Sequence, residues 1–166
     1  MARLSQDLFR ACKKNKAKSH KISEAFIGSE GRGSLYPLYV GYIKSDGYSR
    51  DPDVSTYTVA DETWIHGVED RDENGKPFVR QSEGVSLNTA SGIFGFSGFF
   101  YFLLPQGTTI PPSLDVVQSG RKGHYVIRCR IGMSKVAYEG ALDNLARSAI
   151  ARSVELGKAA LNFEKE

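Results

Sequence analysis

Phe99-Phe100-Tyr101-Phe102-Leu103-Leu104, closed by Pro105, is the stretch on which the fold turns. Six consecutive apolar residues, mostly aromatic, are too few for a helix of their own and fit a strand buried on both faces, in the middle of a sheet. Downstream, Leu114 to Gln118 and His124 to Ile131 read as two more strands, joined by Ser119-Gly120-Arg121-Lys122-Gly123, a five-residue hairpin loop with two glycines. In the second of these, Tyr125, Ile127, Cys129 and Ile131 share one face and His124, Val126, Arg128 and Arg130 the other. Ser134 caps a final helix whose Tyr138, Leu142, Leu145 and Ala149 form one apolar stripe, and Gly157 ends or kinks it.

Upstream of the aromatic run, Gly84 to Leu87 reads as strand and leads into Gly92-Ile93-Phe94. Leu8 to Cys12 is a short strand with Phe9 and Ala11 on one face and Leu8, Arg10 and Cys12 on the other, so Arg10 projects from a largely apolar strand. Residues 28 to 53 are rich in Gly, Tyr, Ser and Asp and read as a long loop with strand pieces near Leu38 to Ile43. Tyr57 to Val59 is a strand, Asn74-Gly75 is a hairpin-type turn, and Phe78 and Val79 open the next strand. Neither a repeat nor a Pro-rich or Ser-rich linker divides the chain, so residues 1–166 form a single domain.

Several function classes are excluded by what the residues lack. No apolar run reaches the length of a membrane span, and the first residues lack a secretory h-region, so the expectation is a cytoplasmic protein with no membrane association. Two cysteines, Cys12 and Cys129, both in apolar surroundings, speak against a disulfide framework and a thiolate metal site. His20, His66 and His124 are far apart and none is paired at ligand spacing, so no metal is expected. There is no G-x-S-x-G elbow, and Gly28-Ser29-Glu30-Gly31-Arg32-Gly33 follows no strand and opens no helix, which removes serine hydrolase and dinucleotide-fold readings. The net charge of +3 owes much to Lys13, Lys14, Lys16, Lys18 and Lys21, which read as a solvated basic loop, or as a contact for a polyanion.

What remains is an arginine on an early strand, a hydroxyl-bearing segment on a middle strand and polar residues on two late strands. From Gly84 to Asn144 the chain resembles the ADP-ribosyltransferase-like toxins of the type VI secretion effector kind. The shared stretch is Leu104-Pro105-x-Gly107-Thr108-x-Ile110-Pro111-Pro112-x-Leu114-x-Val116-x-Gln118, then His124-Tyr125-x-Ile127, then Leu142-Asp143-Asn144. Leu8-Phe9-Arg10-Ala11 is similar to the family's first motif and Gly84-Val85-Ser86 to its second, with Val85 where the family has Thr. Residues 13 to 78 carry no such resemblance.

The resemblance implies an α+β fold of two small packed β-sheets with flanking helices and a C-terminal helix, and an NAD-binding cleft between the sheets. It implies that Arg10 binds the phosphates of NAD, since a guanidinium pairs with two phosphate oxygens and keeps its charge. Ser86 would hydrogen-bond the nicotinamide ribose or brace the site, and Arg80 would add a phosphate or target contact. Gln118 stands where most ADP-ribosyltransferases carry a catalytic glutamate; an amide supplies hydrogen bonds to the ribose but no negative charge. His124 would face the same cleft from the neighbouring strand, while Tyr125 points to the other face, into the core. The activity implied is transfer of ADP-ribose from NAD to an intracellular target, a glycosyltransferase reaction, or hydrolysis of NAD alone, in a toxin that travels with a neutralising immunity protein. Two other readings remain open: a non-catalytic module of the same fold that binds a partner, and an RNA 2′-phosphotransferase-like enzyme whose Lys13 to Lys21 cluster holds RNA.

Overall fold

The computed structural model describes residues 2–13, 35–43, 45–80, 83–90, 99–120 and 122–163. The Gly92-Ile93-Phe94 segment, the basic residues Lys14 to Lys21, His20 and the glycine cluster 28–33 lie outside the described residues.

The aromatic run forms strand β7 (Phe99–Leu104) of a six-stranded antiparallel sheet. The other strands of this sheet are β1 (Leu8–Lys13), β6 (Val85–Asn88), β8 (Leu114–Gln118), β9 (His124–Cys129) and β11 (Leu161–Phe163). Their order is β11-β7-β1-β6-β9-β8, so β7 has a neighbour on each side, and Tyr101, Phe102, Leu103 and Leu104, which alternate between the two faces, are all buried. β4 (Thr56–Val59), β5 (Glu62–Ile65) and β10 (Met133–Ser134) make a three-stranded sheet in the order β10-β5-β4, and β2 (Tyr42–Ile43) pairs with β3 (Ser49–Arg50). α1 (Lys135–Leu156) follows β10 directly; the Ser134 hydroxyl accepts from the Ala137 amide, and Gly157 closes the helix in the left-handed conformation at φ 65°. This is the α+β arrangement of antiparallel sheets and a C-terminal helix that the sequence implied. No helix among the described residues is long and apolar enough to cross a membrane.

α1 touches both the six-stranded sheet, through β7, and the three-stranded sheet, through β5 and β10. Its predicted stripe is the core: Tyr138, Leu142, Leu145 and Ala149 pack with Leu8, Leu87, Phe102, Leu104 and Ile127 on one face of the large sheet and with Ile65 of the small one. Burying each such aliphatic side chain contributes roughly 1.5–3 kcal/mol. Residues 35–39 are clamped on the helix from outside. The Tyr36 hydroxyl meets both carboxylate oxygens of Asp143 at 2.8 and 3.0 Å, and that of Tyr39 donates to Glu139 at 2.9 Å. Asp143 of the Leu142-Asp143-Asn144 motif is thus a tether for a loop, with Leu142 beside it in the core.

The Leu104 to Pro112 motif has a structural task as well. Its turn clasps the N-terminal segment: Leu4 donates to the Thr108 carbonyl, Gly107 to the Leu4 carbonyl and Ile110 to the Ala2 carbonyl, at 2.8–2.9 Å. Thr108, fully buried, donates its hydroxyl to the Pro105 carbonyl at 2.7 Å. The Gln106 amide donates to Asp7, whose other carboxylate oxygen accepts from Lys158 at 2.9 Å. These bonds fix the residues that lead into β1, and so fix where Arg10 enters the sheet.

Some sequence expectations are corrected. Phe78 and Val79 open no strand; a bridge between Arg71 and Pro77 closes the charged loop, and Phe78 instead stacks on His66 with ring centroids 4.1 Å apart. The last strand of the hairpin ends at Cys129, not Ile131, because Arg130 and Ile131 turn away toward β10. β5, β10 and β11 were not expected from the residues.

Candidate active site

Register decides which side chains meet. Phe9 pairs with Asn88, Leu87 with Tyr125 and Tyr125 with Gln118, while Arg10 pairs with Phe102 on its other side. Opposed residues in an antiparallel pair share a face, so Phe102, Arg10, Leu87, Tyr125 and Gln118 form one row on the face that carries the core. The row runs from buried to open: Phe102 and Leu87 are fully buried, Arg10 is 9 % exposed, Tyr125 is half-buried and Gln118 is exposed. At the usual strand spacing, Arg10 and Gln118 stand about 14 Å apart across three strands.

Arg10 is fixed by the main chain of β6, donating from Nη1 to the Ser86 carbonyl at 3.1 Å. The Tyr138 hydroxyl, fully buried and without a hydrogen-bond partner among the described residues, lies within electrostatic range of Cys129, Asp53 and Arg10. Burial pushes the Tyr138 hydroxyl far up, with Cys129 and Asp53 adding to the rise and Arg10 opposing it. It stays protonated beneath the row.

Two expected site residues fall on the other face. Ser86 pairs with Val126, and Asn88 with His124, so both side chains point away from Arg10 and Gln118. His124 does not share a face with Gln118: the pleat sends adjacent residues to opposite sides, and Tyr125 takes the position beside Gln118. The His124 ring instead lies 3.2 Å, through Nδ1, from the Ser119 carbonyl, where it closes the β8–β9 turn. Ser86 meets Arg10 through its carbonyl and not its hydroxyl. Tyr125, placed in the core by sequence reasoning, is packed against it but carries its hydroxyl to Gln6, whose Nε2 donates at 2.6 Å.

Arg80 lies elsewhere, with its Nε 3.0 Å from Glu83 at the opposite end of β6. Glu83 is 6 % exposed and also takes the Ser55 hydroxyl at 2.8–2.9 Å. Glu83 and Ser55 border a shallow pocket with His66, Arg128 and Cys129, and Arg80 is not part of its lining. Gly84 makes the approach possible. At φ +138° it brings β6 so close to β9 that a Cβ would stand 2.5 Å from the Ile127 carbonyl oxygen. Burial, aided by Asp70, pushes the Cys129 thiol up to about 12, so it is no nucleophile at neutral pH. Neither Glu83 nor its pocket was singled out in the sequence. A buried carboxylate beside a glycine of forced conformation leaves no composition signal.

A search of curated proteins finds no significant match to this chain. The family model described as Tse2 ADP-ribosyltransferase toxin matches residues 6–154, which include Arg10, Gly84-Val85-Ser86, the Leu104 to Gln118 motif, His124-Tyr125 and Leu142-Asp143-Asn144. With a match over most of its length, the chain belongs to the family of Tse2 ADP-ribosyltransferase toxins.

Proposed function

We propose that this chain is a toxin that binds NAD along the Arg10 to Gln118 row and transfers ADP-ribose to a target inside the cell it enters. The observation that supports this reading is the shared face: the Arg10 guanidinium, suited to phosphates, and the Gln118 amide, suited to a ribose hydroxyl, belong to one row, their Cα atoms about 14 Å apart. In the reaction the glycosidic bond between the ribose C1′ and the nicotinamide nitrogen breaks, nicotinamide leaves with the electron pair, and a nucleophile of the target, or water, bonds to C1′ and loses its proton to solvent. Arg10 holds the phosphates by charge and paired N–H groups. The Ser86 carbonyl orients Arg10. Gln118 hydrogen-bonds a ribose hydroxyl; it lends no negative charge to the ribose as nicotinamide leaves, so turnover is slow relative to an enzyme with a carboxylate there. Because only 9 % of Arg10 is exposed, phosphates reach it after side chains over it shift, and association is slower than diffusion. Ser86 and His124 support the two strands from behind. Arg80 contributes to the target side.

The uncharged Gln118 favours one other reading, in which the chain binds NAD or a partner without turning NAD over. In either case an immunity protein that masks the open end of the row is the expected neutralising partner, and the site of action is the cytoplasm. Incubation of the purified chain with NAD, followed by chromatography for free nicotinamide, separates the two. Nicotinamide release that is abolished by Arg10→Ala supports the enzyme; NAD binding without release supports the binding module. Absence of NAD binding at millimolar concentration removes both NAD-dependent forms.

A further inference from the structure

Tyr125 stands directly across from Gln118 on the β8–β9 ladder, and its hydroxyl lies 2.6 Å from Gln6 Nε2. A phenol has one proton to give. With Gln6 donating to its oxygen, that proton is left for an acceptor, and among the described residues the Tyr125 hydroxyl makes no second hydrogen bond. The exposed Gln118 amide beside it adds two donors and one acceptor. Gln6 in turn sits between Leu4, held by the Thr108 turn, and Asp7, held by the Gln106 amide and Lys158, so the motif at 104–112 sets where Gln6 stands.

None of the three side chains is charged. A phosphate there would lack a counter-charge, since the row's cation, Arg10, is two strands and about 10 Å away. A vicinal diol suits the set, because each sugar hydroxyl both gives and takes a hydrogen bond and the half-exposed Tyr125 ring offers an apolar face to the sugar. We infer that Gln6, Tyr125 and Gln118 form a ribose subsite in which the Tyr125 hydroxyl donates to a sugar oxygen and Gln6 is the positioning residue that keeps this proton available. The inference rests on the NAD reading of the Arg10 row and names the group that contacts the sugar.

The test is calorimetric titration with NAD of the intact chain and of Tyr125→Phe, Gln6→Glu and Gln6→Leu, each confirmed to keep its thermal midpoint. Tyr125→Phe is expected to weaken binding three- to tenfold, the range of one hydrogen bond. In Gln6→Glu the carboxylate captures the phenol proton, so affinity falls at neutral pH and recovers as the pH drops through the ordinary glutamate range of about 4–5. Gln6→Leu shows no such recovery. NAD affinity unchanged in Tyr125→Phe while Arg10→Ala loses binding overturns the subsite and leaves the cleft standing. Identical pH profiles for Gln6→Glu and Gln6→Leu overturn the positioning role. An intact chain that does not bind NAD overturns the subsite together with the cleft.

Discussion

The six-stranded sheet and the three-stranded sheet are built to different tolerances. In the large sheet, both faces of β7 are buried, the N-terminal segment is clasped by the turn at 104–112, and Gly84 admits no side chain without a clash. In the small sheet, β4 is an edge strand whose side chains are mostly exposed, and its turn to β5 is made by Ala60 and Asp61 at φ 49° and 67°, a left-handed pair without glycine or asparagine. The family motifs fall on the large sheet and on the helix that covers it. The small sheet carries a surface stack of Tyr57, His66 and Phe78 with ring centroids 4.1–4.2 Å apart. Motif residues in this chain therefore sit where register and packing are tightest, while the sheet without motifs keeps an exposed edge.

The sharpest break would come at Gly84. Gly84→Ala is expected to lower stability by more than about 3 kcal/mol, through a positive φ and a collision with the Ile127 carbonyl, and denaturant unfolding measures it. Thr108→Val removes a buried hydroxyl from the Pro105 carbonyl and should cost about 1–2 kcal/mol, with faster amide exchange at Leu4 as the local sign that the clasp has loosened. Tyr138→Phe carries the opposite sign. Its hydroxyl is buried without a hydrogen bond among the described residues, so removal should stabilise the fold by up to about 1 kcal/mol, read as a raised thermal midpoint. In the small sheet, Ala60→Asn should add about 0.5–1 kcal/mol by relieving the left-handed strain.

The smallest effect expected is at Asp7. Burial raises its carboxyl, but the Gln106 amide and Lys158 outweigh that and hold it below the ordinary value of 3.8. A carboxyl lowered by folding stabilises the fold above its unfolded pKa, and that contribution is lost as pH falls through the folded one. Asp7→Asn should therefore flatten the stability profile below about pH 4, by less than about 1 kcal/mol because the pair with Lys158 is partly exposed. Unfolding curves from pH 2 to 6 measure it.

Much of the large sheet was legible because its signals are local: a continuous apolar run at 99–104, two alternating strands around a Gly-containing loop, and a capped helix with a stripe. β5 was not, because the turn before it lacks the Gly or Asn that usually announces a left-handed pair, and Glu62-Thr63-Trp64-Ile65 alternates too briefly to stand alone. β11 was not, because three residues become a strand only by pairing with β7. For the proposed site, residue types singled out Arg10 and Gln118, but which side chains share their face depends on register. A single pleat separates His124 from Tyr125, and the hydroxyl of Tyr125 is set by Gln6, 119 residues away in the chain. No spacing rule reaches across that distance.

The claim that the working face of the sheet is the Arg10 to Gln118 row is tested most directly by NAD titration of Arg10→Ala and His124→Ala side by side, each verified to be folded. The account predicts at least a tenfold loss of affinity for Arg10→Ala and a change within twofold for His124→Ala, whose ring lies on the opposite face. Loss of binding in His124→Ala with affinity kept in Arg10→Ala would contradict it and move the site to the other side of the sheet.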